Sequence, residues 1–561
     1  DPGEHARGRA GEQLLDEGVV VDGAFHGAVC VYPRSGGELS ESGELRRAPT
    51  IGLARARPCD SGENTTARAP ASRAAGGAGG DCACAPYGGN TLTGFVSTVE
   101  ITLRFDSGTL LLDGLGQGGA PGLDAPLPGC LWDPRIGRFR APGYRYREVM
   151  TALTRWSRAG HGAFADNARK YNTLTLAHRA ERQAFDHQRE AIAAWKAKGS
   201  RGVVVLPTGA GKSYVAEMAI ISLQRSALVV APTLDLMNQW YDVLVTAFGA
   251  KVGLLGGGYH EIEDLTVSTY DSAYLHMERY GDRWGLIVFD ECHHLPSPTY
   301  LMAAEMSLAP YRLGLTATLE RADGREALLD ERVGPRVYSR GIKDLAGEYL
   351  ADYDVQTVLV DLTPEESTAY TEARAVYKGF VYDMGISMGS PDGWGRFVMM
   401  SSRSPEGRRA FLAYREQKQI SLASRGKLQV LEGLFRQHAR ERTIVFTNDN
   451  ETVYTISRTF LIPAITHQTD VKERKEILAR FNAGEYPAVV TSRVLNEGVN
   501  IPEASVAIIL SGTASVREHV QRLGRILRRA EGKRAVLYEV ITRGTVEEHQ
   551  SGRRREHDAY R

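Results

Sequence analysis

Cysteine is scarce in this chain: six residues in 561, at Cys30, Cys59, Cys82, Cys84, Cys130 and Cys292. None forms a Cys-x-x-Cys pair or a spaced Cys/His quartet, which excludes the usual structural zinc site. The short clip Cys82-Ala-Cys84 lies in Gly/Ala-rich sequence with no further ligand nearby. So sparse a pattern fits a reducing compartment rather than a disulfide-stapled secreted domain. An excess of charge is absent too: Lys+Arg and Asp+Glu number 68 each, so any surface for a polyanion must be local. No apolar run approaches the ~18–20 residues that cross a bilayer. The first residues are charged rather than basic-then-apolar, unlike an export signal. The expectation is a soluble cytoplasmic protein with no membrane partner, and its length calls for three or four domains.

Residues 1–90 are rich in Gly, Ala, Arg and Ser, and offer too little apolar surface to offset the entropy of ordering. They are expected to be low-complexity and disordered, with a strand or two at most between Val19 and Val31. The character changes near Val99, where Val99-Glu-Ile-Thr-Leu-Arg-Phe105 alternates, Asp106-Ser-Gly108 turns, and Thr109-Leu-Leu-Leu112 returns as a β-hairpin. A linker with several Pro and Gly follows, then an amphipathic helix from Tyr144 to Trp156. These pieces predict a small α+β domain at 91–170.

From residue 201 short apolar runs alternate with helical patterns: Val203–Leu206, Ala227–Val230, Leu265–Ser268, Leu286–Phe289 and Arg312–Leu315. A second series runs through Val355–Val360, Thr443–Phe446, Ala488–Val490, Val506–Leu510 and Ala535–Tyr538. Buried parallel strands read this way, so two doubly wound α/β lobes in tandem are expected, at 175–340 and 341–545, with a polar tail at 546–561. The charged, helical stretch at about 365–425 is too long for a loop and predicts a helical insertion on the second lobe.

Leu206-Pro-Thr-Gly-Ala-Gly-Lys-Ser213 follows a strand and opens a helix, the context a phosphate-binding loop needs. Backbone N–H groups from Thr208, Gly209, Ala210 and Gly211 can close around phosphates at the helix N-terminus. Lys212 should reach the β/γ-phosphates and Ser213 should hold Mg²⁺. Asp290-Glu-Cys-His293 ends another strand. Asp290 can hold Mg²⁺ through water while Glu291 polarises the attacking water, although an Asp-Glu pair by itself is also an ordinary solvated strand end. Thr316-Ala-Thr318 would put two hydroxyls between the nucleotide and the second lobe. On a helix, Gln521, Arg525 and Arg528 fall on one face, which would aim two guanidiniums at developing charge on the γ-phosphate.

Together, Gln188, Leu206–Ser213, Ala231–Leu234, Asp290–His293, Thr316–Thr318, Asn496–Pro502 and Gln521–Arg528 resemble the ordered motifs of superfamily 2 helicases. Thr266–Tyr274, Leu313–Thr318, Phe460–His467 and Gln521–Arg528 resemble more narrowly the XPB helicases, the archaeal-type branch best, over about 95–550. That resemblance implies a damage-recognition-like domain at 91–170, two RecA-like lobes and a thumb inserted in the second. It further implies a DNA-dependent ATPase of 3′-to-5′ polarity, tied to nucleotide excision repair, acting on single-stranded or forked DNA beside a repair nuclease. Gln188 then joins the nucleotide site, with ATP and Mg²⁺ as cofactors, and His293, Thr316, Thr318 and Gly498 couple the cleft to nucleic acid. A prokaryotic member would be nucleoid-associated.

Thr233, Thr269, Thr447, Thr491 and Ser492, at or near strand ends, are the candidate phosphate-gripping hydroxyls, and helix capping is their ordinary alternative. In the thumb, Arg396, Arg403, Arg408 and Arg409 form a second candidate phosphate-facing patch, with a merely solvated helix face as the equal alternative. Two departures stand out. The family's Arg-Glu-Asp element is Arg321-Ala322-Asp323 here, and its Gly-x-Asp-x-Pro element carries Asn500. Loss of the Glu puts duplex opening in question and spares ATP hydrolysis, so a DNA-bound switch that separates no strands is one alternative; an RNA helicase of the same superfamily is the other.

Overall fold

In the computed structural model the described residues are 99–120, 122–123, 127–179, 182–321, 323–390, 392–492, 504–511 and 534–555. The expectations for residues 1–90, for Asn496–Pro502, Gly498 and Asn500, for Ala322, and for Gln521, Arg525 and Arg528 therefore lie outside the described residues.

The N-terminal unit is a sheet in the order Leu131–Asp133, Arg138–Pro142, Thr109–Asp113, Val99–Asp106, Gly162–Asn167, with the helix Tyr146–Arg158 packed on it. The expected hairpin pairs Thr102 with Asp113 through Asp106 with Thr109. Ile101, Leu103, Leu110 and Leu112 face inward onto Val149, Leu153 and Trp156 of the helix, and all are buried. The stretch read as a linker is in part a second hairpin, in which Trp132 pairs with Phe139 and their rings meet edge-on at 5.2 Å. This unit is fastened to the first lobe. Tyr144 donates its hydroxyl to Glu331 Oε1 at 3.0 Å, Arg332 lies 4.2 Å from the Tyr144 ring, and Arg145 pairs with Glu331.

The first lobe is an eight-stranded sheet in the order Arg336–Ser339, Arg201–Val205, Tyr311–Thr316, Leu286–Asp290, Ala227–Ala231, Leu265–Thr269, Val252–Gly256, Tyr259–His260. Every pairing is parallel except the last. Central strands such as Leu286–Asp290 are buried at each position, which is why they read as continuous apolar runs rather than alternating ones.

The second lobe is an all-parallel sheet in the order Asp352–Val360, Arg534–Thr542, Val506–Ile509, Thr443–Phe446, Ala488–Thr491, Ala464–Ile465. Between its first two strands in sequence the described residues form four helices: Pro364–Asp383, Gly393–Ser401 and Pro405–Leu422 make the insertion, and Arg425–Gln437 leads back to the sheet. Phe397 is the buried centre of the insertion, ringed by Tyr377, Phe380, Phe411 and Tyr414. The fold is thus α/β, two RecA-like lobes with a helical thumb on the second and a small α+β domain in front.

Candidate active site and nucleic-acid edge

The strand Arg201–Val205 runs into the loop 206–211, and the helix Lys212–Leu223 begins at its end. Gly209 and Gly211 adopt φ of +91° and +79°, a region open to glycine at little cost. A Cβ on Gly211 would lie 2.3 Å from Gln188 Nε2 and would push that amide off the loop. Gln188 and His187 hold the loop from outside: Gln188 Nε2 donates to Ala210 O at 3.2 Å, and His187 Nε2 lies 2.9 Å from the same oxygen. The Gln188 carbonyl accepts Phe185 N–H at 3.0 Å, which fixes the amide's orientation. Thr208 and Ser213 are partly exposed at the mouth of the loop, and Ala210 is buried behind it.

Lys212 Nζ donates to Leu206 O at 3.2 Å and stands 3.6 Å from Glu291 Oε1. The loop lysine and the acidic pair, remote in sequence, therefore share one site at the carboxyl edge of the sheet. Glu291 sits at φ +46°, an uncommon conformation for a residue with a side chain, kept where the surroundings enforce it. Asp290 is 7% exposed, and burial, followed by the neighbouring Glu291 charge, pushes its carboxyl up to about 6. Asp290 Oδ2 accepts Trp240 Nε1–H at 2.7 Å, and Tyr270 donates its hydroxyl to Asp290 O at 2.9 Å. Trp240, Tyr270 and His187 escaped the sequence reading, because aromatic residues on core-facing helix positions read as packing and their polar partners are distant in the chain.

Among the described residues no three His, Cys, Asp or Glu side chains converge as a metal cage. Two adjoining carboxylates served by one ammonium, with the Ser213 hydroxyl nearby in the chain, fit a hard divalent ion that takes the rest of its shell from phosphates and water, as Mg²⁺ does.

A hydrogen-bonded chain leaves this site. His293, fully buried, places Nδ1 2.9 Å from Thr316 Oγ1 and 3.4 Å from Glu291 Oε2. Thr316 Oγ1 lies 2.7 Å from Thr318 O and 3.3 Å from Glu291 Oε2, two acceptors for one proton, and accepts Thr318 N–H at 3.2 Å. Arg321 donates to His293 O and forms a two-pronged pair with Asp323 at 2.8 and 2.7 Å. The Arg321 guanidinium holds the Asp323 carboxyl at about 2.

The candidate gripping hydroxyls do structural work as well. Thr233 and Thr269 cap the helices Leu234–Phe248 and Tyr270–Tyr280, accepting Leu236 N–H at 3.3 Å and Ser272 N–H at 3.2 Å. In the second lobe Thr447 Oγ1 donates to Asp449 O at 2.9 Å, Thr491 Oγ1 to Ser492 O at 3.3 Å, and all three side chains are buried. The structure brings Thr233 and Thr269 together at one sheet's carboxyl edge and Thr447, Thr491 and Ser492 at the other's.

Tandem parallel-sheet lobes, with a phosphate loop on the first and an acidic pair beside its lysine, define a nucleotide-dependent enzyme of the two-lobed helicase class. Three family models match: the Type III restriction enzyme res subunit over residues 181–321, the helicase conserved C-terminal domain over 426–530, and the Xeroderma pigmentosum group B helicase damage recognition domain over 103–158. The chain is 39% identical over 433 residues to a DNA 3′-5′ translocase XPB2 of Sulfurisphaera tokodaii, a match spanning 77% of this chain and 97% of that protein. To a DNA 3′-5′ helicase XPB of Mycobacterium tuberculosis it is 32% identical, over 65% of this chain and 62% of the relative. The helicase domain of Pyrococcus furiosus Hef superposes at a TM-score of 0.46 and 18% identity, over 65% of this chain and 97% of that one. The chain belongs to the XPB family of helicases. Among the described residues no helix is long and apolar enough to cross a membrane.

Proposed function

We propose that this chain is an ATP-driven DNA translocase and helicase moving 3′ to 5′, with the repair of damaged DNA as its setting and a repair nuclease as the partner that cuts what it exposes. The observation that carries the reading is Lys212 Nζ 3.6 Å from Glu291 beside the buried Asp290, on a loop bent for phosphates. Its relatives, a DNA 3′-5′ translocase and a DNA 3′-5′ helicase, supply the substrate and the direction. With ATP and DNA as substrates, its place of work is the cytoplasm. We assign 91–170 to damage recognition, 175–340 and 341–545 to the two motor lobes, and about 365–425 to the thumb.

ATP binds with its phosphates against the backbone amides of 208–213 and the Lys212 ammonium, while Gln188 holds the loop. Ser213 and Asp290 would hold Mg²⁺, which when bound neutralises charge on the phosphates and fixes their geometry. Glu291 orients the attacking water and accepts its proton. Lys212 stabilises the charge that develops on the γ-phosphate, joined by Arg525 and Arg528 from the second lobe, with Gln521 on the same face. Thr316, His293 and Thr318 transmit the state of Glu291 towards Arg321 and, with Gly498, towards the lobe interface. Thr233, Thr269, Thr447, Thr491 and Ser492 grip the phosphate backbone without reading bases. Lobe closure and opening then move one grip relative to the other.

Steady-state ATPase activity with no nucleic acid, single-stranded DNA, forked duplex and RNA tests the proposal, with Lys212→Ala as the blank. Stimulation by DNA that disappears in the variant is expected. Stimulation by RNA alone would move the substrate to RNA, and none by either would remove the motor reading.

A second reading has its own observation. Arg321 and Asp323 hold each other in a two-pronged pair, with Ala322 between them where the family carries Glu. An element so occupied favours a switch that hydrolyses ATP on DNA without parting the strands. A forked substrate with a labelled strand separates the two, since a switch hydrolyses ATP and displaces nothing.

A further inference from the structure

Lys427 stands in the first turn of the helix Arg425–Gln437, and its side chain is fully buried. Helix formation does not call for it there, because the N-terminal end of a helix carries positive partial charge and disfavours a cation. Burial of an ammonium is costly as well, and an ion pair inside a protein is often replaceable by well-packed apolar groups at no loss of stability. A lysine kept in such a place needs a contact that an apolar residue cannot make.

Two of the contacts of its ammonium are of this kind. One goes to Glu547 Oε2 at 2.5 Å, the other to the carbonyl oxygen of Leu510 at 2.6 Å. Glu547 is itself well placed, in the first turn of the helix Val546–Arg555, where it accepts Thr542 N–H at 3.2 Å. Gly426 lets the lysine's helix begin hard against the strand Asp352–Val360, since a Cβ there would lie 2.3 Å from Val360 Cγ1. Leu510 directly follows the strand Val506–Ile509, and its N–H donates to Phe446 O at 3.0 Å. The next residue, Ser511, accepts Asn448 N–H on its hydroxyl at 2.8 Å. Thr447, the neighbour of Asn448, donates its N–H to Thr491 O at 2.9 Å. The oxygen that Lys427 holds is therefore the first link of a short chain of bonds crossing the carboxyl edge of the second sheet to Thr447 and Thr491.

We propose that Lys427 is a positioning residue for the nucleic-acid grip of the second lobe. It pins Leu510 and, through Ser511 and Asn448, sets the turn that carries Thr447. The proposal rests on the reading above that this edge grips DNA.

The test must separate position from fold. Lys427→Met/Glu547→Gln removes both charges together, so no lone buried charge remains to unfold the lobe, while the Leu510 carbonyl loses its ammonium. The expected result is ATPase activity without DNA within about twofold of the wild-type value, and a DNA concentration for half-maximal stimulation raised about tenfold or more. Ser511→Ala, which leaves the ion pair intact and breaks the next link, should raise that concentration in the same direction. A stable double variant with the wild-type DNA response overturns the proposal. If the double variant does not fold, a wild-type response from Ser511→Ala overturns it equally. Wild-type protein whose ATPase ignores DNA would sink the functional reading itself, a result distinct from either.

Discussion

Arg474 of the second lobe meets Asp235 of the first at 2.5 Å, with side chains only 12% and 20% exposed. Each sits in the first turn of its helix, Val471–Ala483 and Leu234–Phe248, and the carboxylate is where a helix N-terminus favours negative charge. Arg474 also donates to Thr469 O at 3.2 Å, so the guanidinium is held on its own lobe before it crosses. The pair is a strut across the cleft, two residues from the Thr233 cap.

Hydrolysis needs the lobes together, so loss of the strut should lower turnover. Arg474→Gln is expected to reduce DNA-stimulated kcat about tenfold, equivalent to roughly 1.4 kcal/mol on the barrier. The charge swap Asp235→Arg/Arg474→Asp should restore part of it, because the attraction survives the exchange. Wild-type kcat in Arg474→Gln would show that closure does not use this contact.

Arg312 is a second buried cation, fully enclosed, and no carboxylate among the described residues pairs with it. Its guanidinium donates to Ala309 O at 3.0 Å, Ala304 O at 2.8 Å, Arg332 O at 2.7 Å and Ser307 O at 2.6 Å. Ala304 and Arg332 lie in the last turns of their helices, where exposed carbonyls carry negative partial charge. Burial pulls its pKa well below the ordinary range for arginine. Arg312→Met should strand these carbonyls and destabilise the first lobe by roughly 3 kcal/mol or more. Urea unfolding followed by tryptophan fluorescence would read it, and a midpoint close to wild type would show that the carbonyls find other donors.

Much of this architecture is legible in the sequence. The central strands of both lobes are runs of branched apolar residues closed by turns, and burial on both faces requires that composition. The hairpin at Val99–Asp113 is legible because its alternation is regular. The strands Leu131–Asp133 and Arg138–Pro142 are not, because they are short, arginine-rich and flanked by Pro134 and Gly137, and only the Trp132–Phe139 pairing reveals them. At the site, Lys212, Asp290 and Glu291 announce themselves through spacing. What orients them comes from elsewhere in the chain: Trp240 and Tyr270 on Asp290, His187 on the loop. Charge pairs such as Arg474–Asp235 and Lys427–Glu547 are likewise invisible before the chain is folded, since nothing local marks one charged residue among many.

Glu217, on the phosphate-loop helix, is buried, and the basic side chains beside it are His178 at 3.7 Å and Arg182 at 3.8 Å. Burial pushes its carboxyl from 4.5 up to about 7, with Arg182 pulling the other way. The folded chain thus keeps a proton that the unfolded chain releases, so stability from this group falls as pH rises from about 4.5 to about 7. His178, pushed below its usual range by burial, acts with the opposite sign, as it costs stability only at the acidic end. Glu217→Gln should flatten the Glu217 slope and leave the protein more stable than wild type at pH 8, with little change at pH 4.5. Melting temperatures across that range decide it, and an unchanged slope would mean that water or a cation reaches the carboxylate.

The bond from Trp240 to Asp290 turns a core aromatic into part of the site. The indole N–H donates to Asp290 Oδ2 at 2.7 Å while Oδ1 accepts Glu291 N–H at 3.1 Å, so both carboxylate oxygens are held in one plane. Without the indole only Glu291 N–H holds the carboxylate, and its hold on a divalent ion weakens, as outer-shell partners commonly change metal affinity by about 10- to 100-fold. Trp240→Phe keeps the ring's volume for the most part and deletes the donor. It should raise the Mg²⁺ concentration for half-maximal ATPase activity by about tenfold and leave activity at saturating Mg²⁺ much closer to wild type, with the apparent KM for ATP changed less. If instead kcat falls equally at every Mg²⁺ concentration, Trp240 serves to pack the helix Leu234–Phe248 against the sheet, and Asp290 keeps its orientation through Glu291 N–H alone.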